Sequence, residues 1–178
     1  DRRLIPCVWQ FKYKFAAGIL TEERSRGCTG GHKQILGLDF SESYAPTTRV
    51  SNVRLLMAIG TEEGHESEQA DVEGAFLIPY LAGHWGEDGL YYPDNEIYMQ
   101  PFQGFEEYDE TGDLMVCLLL KSIYGLVQAA MEWNKELVSF FHDQDFRQCT
   151  TDPCMFIKRN VGPDEYLAVP VLVDDMVP

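Results

Sequence analysis

The sequence predicts an α+β fold in a single domain. Its 178 residues are 45% apolar and 12% aromatic, which is enough to build one sizeable hydrophobic core. Segments that alternate apolar and polar residues, as strands do, are mixed with segments at helical spacing. They do not follow the strict strand–helix–strand repeat of a parallel α/β protein, so α+β is the favoured class.

The first elements are a strand, a region of turns and a helix. Residues 8–15 alternate basic and apolar side chains and predict an exposed strand. The glycine-rich residues 18–40 predict turns between short strands. Residues 47–64 place apolar side chains near helical spacing and predict a helix. Its predicted ends are Thr48 or Ser51 as the N-cap and Gly60 or Gly64 as the stop.

Short strands and a loop follow this helix. Residues 66–72 predict a strand, and residues 73–81 predict the turn and short helix after it. Residues 82–95 are punctuated by Gly, Pro, Asp and Asn and predict a loop. Residues 96–100 and 114–121 are strand candidates.

The last third of the chain predicts a helix and two closing strands. Residues 130–146 have helical spacing. The face predicted to be buried comprises Trp133, Leu137, Phe140 and Phe141. Residues 153–159 and 166–173 predict strands on either side of a Gly-Pro-Asp turn, and the second of them runs directly into two adjacent aspartates.

The net charge of −15 is concentrated in the middle of the chain. Between Arg54 and Lys121 there are 15 acidic residues and no lysine or arginine, whereas the other 14 acidic residues balance the 14 basic ones. This stretch is either a solvated acidic surface or a surface that would repel nucleic acid phosphates.

The cysteines and the apolar runs indicate the cellular compartment. The five cysteines are odd in number and irregularly spaced, which fits reduced intracellular thiols better than a disulfide framework. No apolar run approaches the roughly 18 residues of a membrane span, and the first residues lack the pattern of a signal peptide. We therefore expect an intracellular protein that does not enter a membrane.

Three aspartates form the main candidate site. Asp71 and the pair Asp174 and Asp175 each follow an apolar strand, and strand ends can project side chains into one cleft. Three carboxylates there would suit Mg²⁺, a hard cation that prefers oxygen ligands, and two such ions can clamp a phosphoryl transfer. Spacing alone leaves open a surface turn at the pair with Asp71 unrelated to it.

Seven segments, in order and in spacing, are similar to one known family. They are VWQFKYKFAAG, GLDFSESYAPTTRVSNVRLLMAIG, QADVEGAFL, EIYMQPFQGF, LLKSIYGLVQAAMEW, TDPCMFIK and LVDDM. Together they resemble the reverse transcriptase of copia-type retrotransposons over essentially the whole chain. The resemblance implies the fingers and palm of a right-hand polymerase fold. Its implied division is fingers in residues 1–70, the first palm motif in 71–81, fingers and palm in 82–135, and palm up to the aspartate pair in 136–178.

The resemblance also implies a metal site. Asp71, Asp174 and Asp175 match the family's three metal-binding, catalytic carboxylates, and Val72 would offer its backbone carbonyl to one metal. The implied cofactor is a pair of Mg²⁺ ions, with Mn²⁺ as an alternative. One ion would lower the pKa of a primer 3′-OH and the other would stabilise the pyrophosphate leaving group.

Four further residues match nucleotide-binding positions of the family. Phe76 resembles the aromatic gate that stacks under the incoming sugar and excludes a ribose 2′-OH. Gln128 is similar to the glutamine that contacts the incoming nucleotide and its templating partner. Arg24 and Arg26 fall in the family's basic segment, which holds the triphosphate.

The implied activity is RNA-directed DNA polymerisation within a polyprotein. The expected partners are an RNA or DNA primer-template, deoxynucleoside triphosphates, and the thumb, ribonuclease H and integrase portions of the polyprotein. The expected location is a cytoplasmic virus-like particle with access to the nucleus. Since the chain stops just after Asp175, we expect the return strand of the catalytic hairpin to be missing and the isolated chain to have little polymerase activity.

Several positions depart from the family pattern. Leu172 stands where the family usually has tyrosine before the aspartate pair, and Pro170 removes a donor from the strand. Val127 and Met131 stand where the family often has lysine and arginine, so positive charge is lost. These changes leave two alternatives open: a decayed, non-catalytic copy, and an acidic protein-interaction module that reuses the fold.

Overall fold

The chain divides into two compact units in the computed structural model, which describes residues 3–159, 162, 165–173, 175 and 176. Unit 1 comprises residues 1–43 and 76–132, and unit 2 comprises residues 44–75 and 133–178. Within these described residues there are more strands than helices, and the strands contain more residues, in agreement with the predicted α+β class. The assignment of segments to fingers and palm stays a prediction.

The elements follow one another in chain order. They are β1 (Cys7–Ala16), β2 (Ile19–Thr29), α1 (Val50–Glu63), β3 (Ala70–Asp71), β4 (Gly83–Trp85), β5 (Tyr91–Pro93), β6 (Tyr98–Met99), β7 (Cys117–Leu118), α2 (Ala129–Asp143), β8 (Arg147–Gln148), β9 (Met155–Arg159), β10 (Tyr166–Leu172) and β11 (Asp175–Met176), with 3₁₀ turns at Gly31–Lys33 and Ala75–Leu77. No helix in the described part of the chain has the length and apolar character needed to cross a membrane.

Unit 1 begins with a long antiparallel hairpin of β1 and β2. The predicted exposed strand is confirmed. The prediction of short strands and turns for residues 18–40 was wrong for residues 19–29, which form one long strand paired with β1, whereas turns do occur in residues 31–40. Gly27 lies within β2, where an added Cβ would come within 2.6 Å of the Phe102 ring. This glycine permits a close approach rather than a turn.

The rest of unit 1 consists of short strands around a small core. The prediction of a loop for residues 82–95 was wrong, since β4 and β5 form a hairpin in which Trp85 lies opposite Tyr91. Their rings are 5.3 Å apart, and aromatic pairs of this kind stabilise hairpins. The buried core of the unit is formed by Ile5, Leu81, Ile97, Met99, Leu119, Leu126 and Ala129.

Unit 2 contains a five-stranded antiparallel sheet in the order β3–β11–β10–β9–β8. β10 is continuous through the buried Pro170, because the next residue, Val171, donates its backbone N–H to the carbonyl of Cys154 at 2.8 Å. The prediction that the chain lacks a return strand was wrong. β11 turns back after β10 and pairs with β10 on one side and with β3 on the other.

Along the chain, α1 precedes β3 and α2 precedes β8 of this sheet. α1 ends at Gly64, as predicted, with a left-handed φ of +71°. Its N-cap is Arg49 rather than Thr48 or Ser51, because the hydroxyl of Thr48 is engaged elsewhere in the unit. In α2, three of the four predicted core residues are buried, whereas Phe140 is 54% exposed, so that part of the prediction was wrong.

Candidate functional site

The structure brings Asp71 and Asp175 together in the sheet of unit 2. β3 and β11 run antiparallel, with Asp175 directly opposite Asp71 and Met176 opposite Ala70. Asp71 is exposed to solvent. Val72, the predicted carbonyl ligand, follows Asp71 immediately and is half-buried. Asp174 lies outside the described residues.

The turn before the aspartate pair has an unusual backbone conformation. Val173 adopts a φ of +64°, a left-handed conformation that a β-branched residue rarely takes. Its carbonyl oxygen accepts a hydrogen bond from the indole Nε1–H of Trp133 at 2.6 Å. Trp133 is 5% exposed and lies near the start of α2. The turn is therefore tied to a buried helical side chain.

A buried carboxylate ties α1 to the sheet of unit 2. Oδ2 of Asp152 accepts hydrogen bonds from the Thr48 hydroxyl at 2.9 Å, the Asn52 side-chain amide at 2.6 Å and the Arg49 backbone N–H at 3.2 Å. Oδ1 accepts the backbone N–H of Cys154 at 3.1 Å. Asp152 thus supplies, from a distant segment, the acceptor that the start of α1 lacks.

Unit 1 brings two of the predicted nucleotide-binding residues to one tyrosine. The Tyr124 ring meets the Phe76 ring edge-on, with centroids 5.7 Å apart, and the Arg26 guanidinium lies 5.0 Å from its centroid. The backbone carbonyl of Tyr124 accepts the backbone N–H of Thr29, the last residue of β2, at 2.8 Å. Tyr124 therefore connects Phe76 to the strand that carries Arg26.

The other predicted basic residue, Arg24, lies on the same hairpin. It forms a hydrogen-bonded ion pair with Glu22, which also pairs with Lys14 at 2.9 Å. These hydrogen bonds, that from Arg24 first, lower the pKa of the Glu22 carboxyl. Lys12 lies directly opposite Arg24 in the register of β1 and β2.

Gln128 is buried and hydrogen-bonded within unit 1. Its Oε1 accepts a hydrogen bond from Nε2 of Gln34 at 2.9 Å, and its own Nε2 donates to the carbonyl of Asp39 at 3.3 Å. Oε1 of Gln34 in turn accepts the backbone N–H of Val127 at 2.7 Å. Gln128, which is predicted to contact a nucleotide, therefore already forms two side-chain hydrogen bonds within the protein.

The site in the described residues is incomplete as a metal centre. Within that part of the chain, no group of three histidine, cysteine, aspartate or glutamate side chains comes together as a set of metal ligands. The predicted third carboxylate is that of Asp174, which lies outside the described residues. What the structure contributes is the register that places Asp175 opposite Asp71.

Three residues with a clear role in these arrangements were not singled out for it by sequence reasoning. They are Tyr124, Trp133 and Asp152. Trp133 was predicted only as a core residue, and the indole N–H was the one signal that it needs an acceptor. Tyr124 and Asp152 lie within segments that carry the family resemblance, but their hydrogen-bond partners Thr29 and Thr48 are 95 and 104 residues away in sequence.

A family model described as "Reverse transcriptase (RNA-dependent DNA polymerase)" matches residues 1–178. The chain is 32% identical over 177 residues to the Retrovirus-related Pol polyprotein from transposon TNT 1-94 of Nicotiana tabacum. It is 29% and 27% identical, each over 175 residues, to those from transposons RE2 and RE1 of Arabidopsis thaliana. These matches cover 98–99% of the chain but only 11–12% of each polyprotein. No solved structure matches significantly.

Proposed function

This chain belongs to the reverse transcriptase (RNA-dependent DNA polymerase) family, and from that premise we propose that it supplies the metal- and nucleotide-binding part of a retrotransposon Pol polyprotein. In this proposal it works inside the cell on an RNA or DNA primer-template, and it joins a deoxynucleotide to the primer 3′-OH with release of pyrophosphate. The chain spans about a ninth of its curated relatives, so the thumb, ribonuclease H and integrase portions are proposed partners.

The register of β3 and β11 is the observation that carries this proposal. The register brings two aspartate positions together at the backbone of neighbouring strands. Carboxylates from neighbouring positions favour a shared cation, because like charges otherwise repel each other. Asp175 opposite Asp71 therefore supports a site in which these two residues, with Asp174 and the carbonyl of Val72, hold two Mg²⁺ or Mn²⁺ ions.

The protein groups have separate tasks in the proposed reaction. When bound, the ions supply acidification of the primer hydroxyl and neutralisation of the pyrophosphate charge. Asp71 and the aspartate pair orient the reacting oxygens. Arg26 binds the triphosphate, Phe76 packs against the deoxyribose where a 2′-OH would clash, and Tyr124 holds both of these side chains in place.

Gln128 can contact a nucleotide only if its present hydrogen bonds change. Its amide is paired with Gln34 in the buried network described above. A contact between Gln128 and an incoming nucleotide would require one of these hydrogen bonds to be exchanged for a bond to the base or sugar. The Gln34–Gln128 pair is therefore the part of unit 1 that we expect to rearrange when a nucleotide binds.

Binding of Mn²⁺ to the 178-residue chain tests the metal site. Titration followed by electron paramagnetic resonance should show binding that weakens by about tenfold or more in Asp71→Asn, since one anionic ligand is lost. Asp143→Asn is the matched control, because Asp143 is exposed and lies at the end of α2. Equal Mn²⁺ affinity of the Asp71→Asn chain and the wild type would refute the proposed site.

A further inference from the structure

The strained turn at Val173 immediately precedes the aspartate pair. A left-handed φ of +64° brings the Cβ of a valine too close to its own backbone, so this conformation has to be held by its surroundings. After the turn, β11 pairs with both β10 and β3. The conformation of Val173 thus decides where the chain re-enters the sheet, and with it the register of Asp175 against Asp71.

One side chain in the described part of unit 2 is positioned to hold this turn. The indole of Trp133 donates to the carbonyl of Val173 at 2.6 Å, a short distance for an N–H···O bond. The indole is almost fully buried, and it shares a face of α2 with Leu137 and Phe141, which are also buried. Because Phe141 stacks on Phe156 of β9 at 4.2 Å, the donor is fixed to the same sheet that it restrains.

We propose that Trp133 is a positioning residue for the metal site: its indole N–H holds Val173 in the left-handed conformation and thereby keeps Asp175 in register with Asp71. The inference rests on the proposed function, because its consequence is metal affinity. A tryptophan that merely fills the core would stabilise unit 2 in the same way whatever residue occupied position 173.

Substitution at position 173 separates these two roles. Glycine adopts a left-handed φ without the Cβ clash, so Val173→Gly removes the need for a restraint on the turn. Trp133→Phe removes the donor and keeps an aromatic ring. If Trp133 acts through the turn, Val173→Gly will restore the metal affinity that Trp133→Phe loses. If Trp133 acts only through packing, the loss will persist.

The experiment is a Mn²⁺ titration of four chains: the wild type, Trp133→Phe, Val173→Gly and the double variant. We expect Trp133→Phe to bind Mn²⁺ about threefold to tenfold more weakly, the effect of one hydrogen bond, and the double variant to bind within about twofold of Val173→Gly alone. Trp85→Phe is the control, because Trp85 is an exposed tryptophan of unit 1. Circular dichroism checks that each chain is folded.

A second substitution covers the case in which Trp133→Phe does not fold. Benzothienylalanine at position 133 keeps the volume of the indole and replaces only the N–H by sulfur, so it should reproduce the loss of affinity. Unchanged Mn²⁺ affinity after loss of the donor, or a loss that Val173→Gly fails to restore, overturns this inference alone. A wild-type chain whose Mn²⁺ binding does not depend on Asp71 overturns the proposed function and this inference with it.

Discussion

Replacement of Asp152 should destabilise unit 2 more than its single charge suggests. The carboxylate is 2% exposed and accepts four hydrogen bonds, from Thr48, Arg49, Asn52 and Cys154. Burial by itself raises the pKa of Asp152, but the hydrogen bonds together outweigh it and hold the pKa below its ordinary value. The ionised form is therefore the one that the folded chain stabilises.

The size of the effect follows from the donors that Asp152→Ala would strand. The Thr48 hydroxyl is buried, and so is Cys154, which donates its backbone N–H. A buried donor without an acceptor costs about 1–3 kcal/mol, and the half-exposed Asn52 can turn to water at a lower cost. We therefore expect Asp152→Ala to lower the free energy of unfolding by about 3–5 kcal/mol, and Asp152→Asn by about 2–3 kcal/mol, because Asn keeps one acceptor oxygen.

The stabilisation of the fold by Asp152 should decrease at low pH. Because the pKa of Asp152 is lower in the folded state, its stabilising contribution is complete above the ordinary aspartate value of about 4 and is lost as the pH falls through the folded-state pKa. The difference in unfolding free energy between the wild type and Asp152→Asn should therefore be constant above about pH 5 and should shrink at lower pH.

Urea unfolding between pH 2.5 and 7 measures that difference, with Asp143→Asn as an exposed control expected to change stability by less than about 0.5 kcal/mol. Hydrogen exchange supplies a local readout, because loss of the acceptor should speed exchange in the first turn of α1. A cost below about 1 kcal/mol for Asp152→Ala, or a difference that does not vary with pH, would refute the reasoning.

Two other predictions concern a glycine and two thiols. Gly125→Ala should lower the free energy of unfolding in urea by about 3 kcal/mol or more. The reason is that Gly125 has a φ of +93° and an added Cβ would lie 2.1 Å from the carbonyl oxygen of Thr29. An unchanged unfolding midpoint would contradict this. Burial raises the pKa of the Cys154 thiol to about 11, whereas a hydrogen bond with a neighbouring threonine lowers that of Cys149. Iodoacetamide at pH 8 should alkylate Cys149 at least about tenfold faster than Cys154, as followed by peptide mass spectrometry. Equal rates would contradict the burial of Cys154.

The fold was predictable where the local pattern leaves a residue only one structural use. Gly64 was predicted as a helix stop and is one, because a left-handed C-cap strongly favours glycine. Gly27 was misread as part of a turn, since a glycine in a sequence signals either a turn or a close approach. Gly31 shows the second use: an added Cβ would lie 1.9 Å from the carbonyl oxygen of Gly125. Only the tertiary structure distinguishes the two.

The family was predictable from the sequence, but the arrangement of the candidate site residues was not. The family that the seven segments predicted is confirmed, whereas the assigned roles of the site residues stay predictions. The register of Asp71 with Asp175 depends on β11 entering between β3 and β10, which no local pattern encodes. The hydrogen bonds of Gln128 were equally unpredictable, because the sequence does not reveal whether its amide faces solvent or pairs with Gln34.

The β1–β2 hairpin bears on the objection that a chain with a net charge of −15 should repel nucleotides. Its register places Lys12 directly opposite Arg24, and like charges opposite one another destabilise a strand pair. Two positions along the same face, Arg26 lies opposite Gln10 and over the ring of Tyr124. Glu22 already offsets part of this repulsion through its ion pair with Arg24, and in the proposed function a bound triphosphate would offset more of it. The acidic excess lies between Arg54 and Lys121, outside this hairpin, so net charge is a poor guide to what the hairpin binds.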